Sequence, residues 1–580
     1  MIPRPWPVKF GVGTRRPADL LAGSAAPSDV RRLHALATAV SFLTAIAVGG
    51  GLAVAAYGPR ILDVSDVGWM LAGPLGPDPV AYWIGWRHFR RTPWLMPPGL
   101  NPDWGLEIGS AIFYADVIPL VAFGLKALQS LVTVEQYWGP WLVACGALQA
   151  AMAWWLIGRA TPAPLARGAG AVLFAAQPMM LNRIGGHFAL AAHWLLLAAF
   201  ALALRPPAGR HTRSLAWVGL LAVSALVQSY LFAMTAALWA ADLIDRLRRE
   251  GGAARTAVEF AVASGVTTGA LWAAGFFVLR GAVSPIGEGY GMTALDLLAP
   301  FDAVEWGRFL PELPTLRHWE HGGSYLGLGS FVVLGAGLAA VASCPLAWRR
   351  ALSRHGVLIF TLFGLLIFAI GNRPAIAGTV LFEVPLPDAI RRLADLLRAS
   401  ERFVWPFAYA TLFAAVAVVS TRWGGTRAAI LLTLAAVLQL ADVSVGLERL
   451  RGLVAEAPRE PEPRLVDPFW QEAALRYTRL RAVPADNLGA HWEPLARLAA
   501  SHGMATDAVY LARVDQRAVE WLRREMAQRL VAGRYEEGTV YVLRDGETLA
   551  LARASHDPAR DLLGRFDRID VLAPGWFAPQ

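Results

Sequence analysis

Apolar stretches approaching twenty residues recur from Leu33 to about Val445, and no other feature limits this chain so strongly. A helix rises 1.5 Å per residue, so about twenty apolar residues cross roughly 30 Å of hydrocarbon. In lipid every backbone N–H and C=O must be paired within the segment, which makes helices the natural way for such stretches to cross. Composition agrees: 56% of the 580 residues are hydrophobic and 17% are charged, against about 25% charged in a typical soluble domain. The 23 tryptophans suit interfacial belts.

The net charge of +9 does not make this a nucleic-acid binder. Nearly all the cations are arginines, Lys9 and Lys126 being the only lysines, and the chain is rich in Ala, Gly and Pro, a mixture expected from a GC-rich genome. Cys145 and Cys344 both lie in apolar runs, which argues against a disulfide framework or a thiolate metal site. The first 32 or so residues are polar and the first apolar run carries no clear cleavage site, so it reads as an uncleaved first span.

Spans are expected at 34–57, 138–158, 168–182, 188–204, 214–229, 230–246, 256–279, 325–346, 355–371, 403–420 and 427–446, about eleven helices. Arginines cluster at Arg15–Arg16 and Arg31–Arg32, at Arg159 and Arg167, from Arg205 to Arg213, from Arg246 to Arg255, from Arg349 to Arg354, and at Arg422 and Arg427. The positive-inside rule puts all of these in the cytosol. That is consistent only if the segment 111–131, with Asp116, Pro119 and Lys126, lies on the outer surface instead of crossing. The chain then divides into a cytosolic tail (1–33), a membrane domain (34–446) with outer surface helices within 58–137, and a periplasmic domain (447–580) of balanced charge. Pro458–Pro463 reads as a linker. Helical periodicity over Gln516–Leu530 and β-like runs at Ala508–Val514, Thr539–Leu543 and Ile569–Leu572 make that last domain a small α/β unit. The expected location is a bacterial inner membrane, with the N-terminus cytosolic.

Polar residues gather in the outer segments. Asp78-Pro79 suits a helix start, Asp as N-cap and Pro as first residue. Tyr82, Trp86 and Phe89 then share a stripe, which predicts an amphipathic helix on the membrane surface, with His88 beside them. Asp78 reads either as a pure cap or, with Asp63, Asp66, Asp103, Glu107 and Asp116 in the same loop, as part of a carboxylate group serving as base or metal ligand. Arg183 and His187, separated by Ile184-Gly185-Gly186, suit a phosphate, and His193 follows. His193 reads equally as a satisfied buried histidine, and Arg183 less readily as an interfacial anchor. Glu288, Tyr290, His318, Glu320 and His321 suit a sugar through stacking and hydrogen bonds. Arg402 opens a span from outside, as headgroup anchor or phosphate ligand. Asp442 near the end of the last span is either functional or a structural hydrogen-bond acceptor.

Asp78, Tyr82, Trp94 and Pro97 stand in an arrangement that resembles the acid–Tyr–Trp–Pro motif of C-type (GT-C fold) glycosyltransferases using polyprenyl-phosphate sugars, among them the aminoarabinose and protein-mannose transferases. Within that superfamily the chain looks more like a bacterial polytopic membrane family without an assigned reaction. The matching pieces are Asp78-Pro79, Gly85-Trp86, Phe89 and Pro93-Trp94; Asp116–Leu120; Gly186-His187 and His193-Trp194; Tyr325–Gly329; and Arg402–Pro406. The resemblance implies a GT-C-like helical membrane fold and an inverting hexosyl or pentosyl transfer from a polyprenyl-phosphate donor to a glycan, lipid or protein acceptor. Catalytic duty would fall among Asp78, Asp66 and Asp116. Donor phosphate would be held by Arg183, His187, His193 and Arg402. Substrate contacts would come from Tyr82, Trp86, His88, Glu288, Tyr290, His318, Glu320 and His321. No carboxylate occupies the 182–193 turn, where many such enzymes carry a second acid. No cofactor is therefore firmly implied, and a divalent cation such as Mg or Mn stays open. Two other readings remain, a lipid or glycan transporter or flippase and a non-catalytic envelope-assembly scaffold. The spans carry few deep polar residues and no repeats, which weighs against transport.

Overall fold

The computed structural model describes residues 27–578 apart from 184–185, 205–209, 281–282, 286–288, 319–321 and 343–344. Glu288, Glu320 and His321, expected to touch substrate, lie outside the described residues.

Most of the chain is helical, and a helix stands wherever the sequence predicts a span. Among the described residues four helices are long and apolar enough to cross a membrane: Arg31–Tyr57, Trp138–Ile157, Ser353–Ile370 and Ser400–Glu456. The last is two helices joined at Gly424, whose φ of 80° turns the chain. Pro164–Ala175, Trp194–Ala203, His211–Val227 and Leu328–Ala342 are apolar but shorter. Two predicted spans are broken. Pro164–Ala175 is separated from Pro178–Leu181 by extended Gln177, and a 3₁₀ turn, Phe188–Ala191, precedes Trp194–Ala203. Between these pieces lies the segment with Arg183 and His187. The helix within 111–131 is Pro119–Ala127, nine residues, about 14 Å and too short to cross.

Small residues set the helix spacing. A Cβ on Gly49 would collide with the Gly146 carbonyl, and the reverse holds for Gly146 against Gly49. The first helix and Trp138–Ile157 therefore touch backbone to backbone, the packing expected where lipid gives no hydrophobic drive between helices. A buried ion network ties Arg210–Val227, Ser229–Glu250 and Ala253–Ala273 together. Asp242 receives Arg213, Arg246 at 3.0 Å and Trp217 Nε1 at 2.7 Å, and Glu259 receives both terminal nitrogens of Arg246. Asp442 is fully buried and accepts four hydrogen bonds, from the Tyr325 hydroxyl (2.6 Å) and the backbone N–H groups of Leu328, Arg308 and Phe309. It is a structural acceptor that pins the loop around residue 308 to the last helix.

Beyond that helix, which runs to Glu456 and so ten residues past its expected end, lies a five-stranded sheet. Its order is Ala505–Thr506, Arg479–Val483, Thr539–Leu543, Ile569–Ala573, Leu562–Phe566. The first three strands run parallel and the last two antiparallel. Every residue of Thr539–Leu543 is buried, the pattern of a central strand covered on both faces. The expected run Ala508–Val514 is mostly loop. Only Arg513–Asp515 is strand, and it pairs antiparallel with Val283–Pro285 from the membrane domain. Asp515 then caps Gln516–Val531 by accepting from the N–H of Arg517 at 3.0 Å.

The sheet domain is docked by more than that ladder. Arg481, 1% exposed, gives two bonds to Glu107 (2.6 and 2.8 Å) and also meets Asp507 and Glu536. Thr506 exchanges backbone bonds with the 103–105 turn, accepting from Gly105 and donating to Asp103.

Candidate active site

The site is built around the helix Asp78–Arg91, and this helix is not the surface amphipath expected. Ten of its fourteen residues are buried, Trp86 and His88 among them. The sheet domain covers part of it: Trp492–His502 packs against the helix, and Arg91 donates to the Ala500 carbonyl at 2.6 Å. Trp86 is buried from another direction, its indole N–H on the Val134 carbonyl at 3.1 Å and its ring edge-on to Tyr137. Burial, with the neighbouring Arg91 and Arg87, pushes the His88 imidazole down to about 3, so it stays neutral. Both side chains are buried, not exposed on a surface as expected.

Asp78 is the first helical residue and makes no capping bond; Pro77 takes the cap position. Its carboxylate is directed elsewhere. Oδ1 accepts from the Tyr510 hydroxyl at 2.7 Å; Oδ2 meets the Tyr82 hydroxyl at 3.3 Å and His187 Nε2 at 3.2 Å. Tyr82 is one helical turn on, which is why it reaches back. His187 arrives because Gly186 lies flat against the helix start. Its φ is 92°, and a Cβ there would press on Pro79 Cδ, with Cγ at 2.6 Å. A residue with a side chain would push His187 off Asp78.

Asp116 joins from the other side. Desolvation, then the charge of Asp78, raises its carboxyl to about 7, opposed by Arg402 and by a hydrogen bond from Tyr82. Asp116 and Ile118 both hold positive φ, 51° and 53°. For a β-branched residue that conformation is a real outlier, and such strain gathers at functional positions. Asp116 thus places a second carboxylate near Asp78, from a loop earlier in the chain than the 182–193 turn. Burial and the Asp78, Asp116 and Tyr510 charges also raise the Tyr82 phenol well above its usual value.

Arg402 is buried, near enough for its charge to act on Asp116, and its guanidinium is 4.7 Å from the Tyr230 ring centre. Two further arginines converge there. Desolvation, then Arg513, and to a lesser degree Arg402, lower Arg398; desolvation lowers Arg513, which donates at 3.4 Å to the Leu396 carbonyl. Arg398 lies in a loop and Arg513 on the sheet domain, so neither carries a local motif. Tyr510 was hidden for the same reason, its only sequence signal being an aromatic in a β-like run.

Other expected residues sit apart. Asp66 is 6% exposed and clamped by Arg60 at 2.5 Å, which also binds the carbonyls of Val454 and Pro458, so it fastens the end of the last helix. Arg183 is buried, with Nε on the Met180 carbonyl at 3.0 Å. His193 is fully buried inside the bundle, Nδ1 against the Tyr409 hydroxyl at 2.9 Å and its ring 4.2 Å from Trp405. Tyr290 gives its hydroxyl to the Phe368 carbonyl at 2.9 Å. His318 meets Glu401 at 3.1 Å, and Glu401 also accepts from Ser324. No group of three His, Cys, Asp or Glu arranged to hold a metal occurs among the described residues. Both oxygens of Asp78 are engaged, by two phenols and an imidazole.

Residues 46–444 match the family described as "Domain of unknown function (DUF6311)", and residues 469–574 match its C-terminal domain. No curated protein matches the chain. Among solved structures, ArnT from Cupriavidus metallidurans is similar in its apo state at 14% identity and a TM-score of 0.43, over 90% of this chain and 97% of that one. The same protein bound to undecaprenyl phosphate is similar at 15% identity and a TM-score of 0.39, over 90% and 98% of the two chains.

Proposed function

The chain belongs to the DUF6311 family, and from the geometry of its site we propose that it is a membrane glycosyltransferase. It moves a sugar from a polyprenyl-phosphate-linked donor to an envelope acceptor (a glycan, lipid or protein) at the outer face of a bacterial inner membrane. The observation that carries this reading is the pairing of a carboxylate centre with a cationic one. Asp78, positioned by Tyr82, His187 and Tyr510, couples through Asp116 to Arg402, with Arg398 and Arg513 beside it.

The division of labour follows from charge. The acceptor hydroxyl attacks the anomeric carbon as its proton passes to Asp78, and the bond from that carbon to the phosphate oxygen breaks with inversion. Negative charge grows on the departing phosphate, where the arginine group meets it. Asp116, held near neutrality, keeps a second full negative charge away from that phosphate. No step passes through a metal. In this reading about eleven helices span the membrane with the N-terminus cytosolic. The sheet domain is periplasmic and forms one wall of the site through Tyr510 and Arg513.

Asp78→Asn is the direct test. Transfer of labelled sugar from a polyprenyl-phosphate donor, measured in proteoliposomes, is expected to fall by on the order of a hundredfold or more. Unchanged transfer in a correctly folded variant removes Asp78 from catalysis.

A further inference from the structure

The sheet domain carries a concave site of its own. It is a cavity of about 610 Å³ lined by His491, Arg544, Asp545, Arg553, Arg565 and Arg568, with leucines and Ile569 between them. Its place in the fold is telling. Arg544 directly follows the parallel strand Thr539–Leu543, and the next helix, Gly546–Ser555, begins two residues later. Ligands in sheets of this kind bind outside the carboxyl ends of parallel strands.

The charge of the cavity is unbalanced. Four arginines face two carboxylates: Asp545 caps Thr548 at 2.8 Å and Asp570 pairs with Arg565 at 3.4 Å, so the surplus positive charge is that of Arg544, Arg553 and Arg568. Arg544 is the floor of the site. One nitrogen donates to the Pro484 carbonyl at 3.3 Å, while Nε and Nη2 are shielded from solvent with no hydrogen-bond partner. Asp507 and Asp486 face it from within the domain, but Asp507 is bound to Arg481 and the Ala482 N–H, and Asp486 to Arg523 at 3.0 Å. Desolvation lowers the Arg544 guanidinium accordingly. A charged donor buried without a partner is costly, and a small rotation of the Arg544 side chain into the cavity would pair these donors with an oxyanion held there. Gly489 makes room for this arrangement, since a Cβ there would stand 2.5 Å from Arg544 Nη1.

We propose that this cavity binds a phosphorylated or carboxylated sugar, with Arg544 gripping the oxyanion and Arg553, Arg565 and Arg568 drawing it in from the rim. The volume is right for one or two sugar units, and the leucine and isoleucine surfaces between the cations suit the apolar face of a pyranose ring. The inference rests on the cavity and not on the transferase reading.

Isothermal titration of the full-length protein in detergent tests it without any turnover. Glucose 1-phosphate and glucuronate are expected to bind and glucose not to. Arg544→Met should weaken that binding at least about tenfold, and the exposed-rim variant Arg568→Ala should weaken it less while leaving the thermal midpoint unchanged. Equal binding of glucose and glucose 1-phosphate overturns the proposal. So does binding that survives both substitutions, or binding lost in Arg402→Met but not in Arg544→Met, which would put the anion at the membrane-facing site. Because Asp78→Asn leaves this cavity intact, failure of the transferase reading and failure of this one are separable.

Discussion

Tyr510 and Asp78 are 432 positions apart and joined by a 2.7 Å hydrogen bond. The phenol comes from a loop of the sheet domain and the carboxylate from the first turn of a helix in the membrane domain, so the centre of the site belongs to neither alone. Tyr510→Phe removes that bond and little else, since Trp492 still packs on the ring at 5.1 Å. It is expected to slow transfer roughly tenfold, the usual worth of a hydrogen bond to a charged group. The loss should appear in kcat with KM nearly unchanged. An equal change in both would make Tyr510 a substrate contact instead.

Asp116 makes the site sensitive to pH. Its carboxyl is raised from 3.8 to about 7, so the folded protein holds that proton more tightly than the unfolded chain. The stabilisation is complete below about pH 4 and is lost as pH rises through about 7. The transfer rate should inflect near pH 7 for the same reason. Asp116→Asn, a fixed mimic of the protonated form, is expected to abolish the inflection; a pH–rate profile that keeps it would assign the titration elsewhere.

Arg481 tests how the sheet domain is held. It is buried and meets three carboxylates, of which Asp507 is fully buried. Arg481→Met leaves that carboxylate without its cation and is expected to cost about 3–5 kcal/mol. Thermal unfolding should show it as a lowered midpoint. Glu107→Gln, at the more exposed end of the same network, should cost much less.

Gly186→Ala addresses the approach of His187. The new Cβ would meet Pro79 and sit at a φ of 92°, so a loss of about 2–3 kcal/mol is expected from the strained backbone and the forced shift together. Transfer should fall further than stability, because the displaced element carries His187. Wild-type activity in this variant would remove His187 from the site.

What the sequence discloses here follows the distance over which each interaction acts. Tyr82 reaches Asp78 because four helical positions make one turn, a relation visible in any sequence. Positive charge on loops and apolar length located the helices, and they also kept 119–127 from being taken as a span. Trp86 and His88 were misplaced because an amphipathic pattern says that one face is buried without saying whether lipid or other protein segments, here the stretch around Val134 and Tyr137 for Trp86, cover it. Asp66 looked like its neighbouring acids until Arg60 was found on it. Arg398, Arg513 and Tyr510 carry no local signature. They matter only through a docking that no short stretch of sequence encodes.

The two-stranded ladder between Val283–Pro285 and Arg513–Asp515 has a consequence for the order of events in making this protein. A ribosome that has completed every membrane helix has still not made Tyr510, Arg513 or the strand that docks them. Until those late residues are threaded into place, the nascent protein holds Asp78 and Arg402 without the wall between them. On the proposed reading the site is therefore incomplete until the residues that follow the membrane helices have been made and docked.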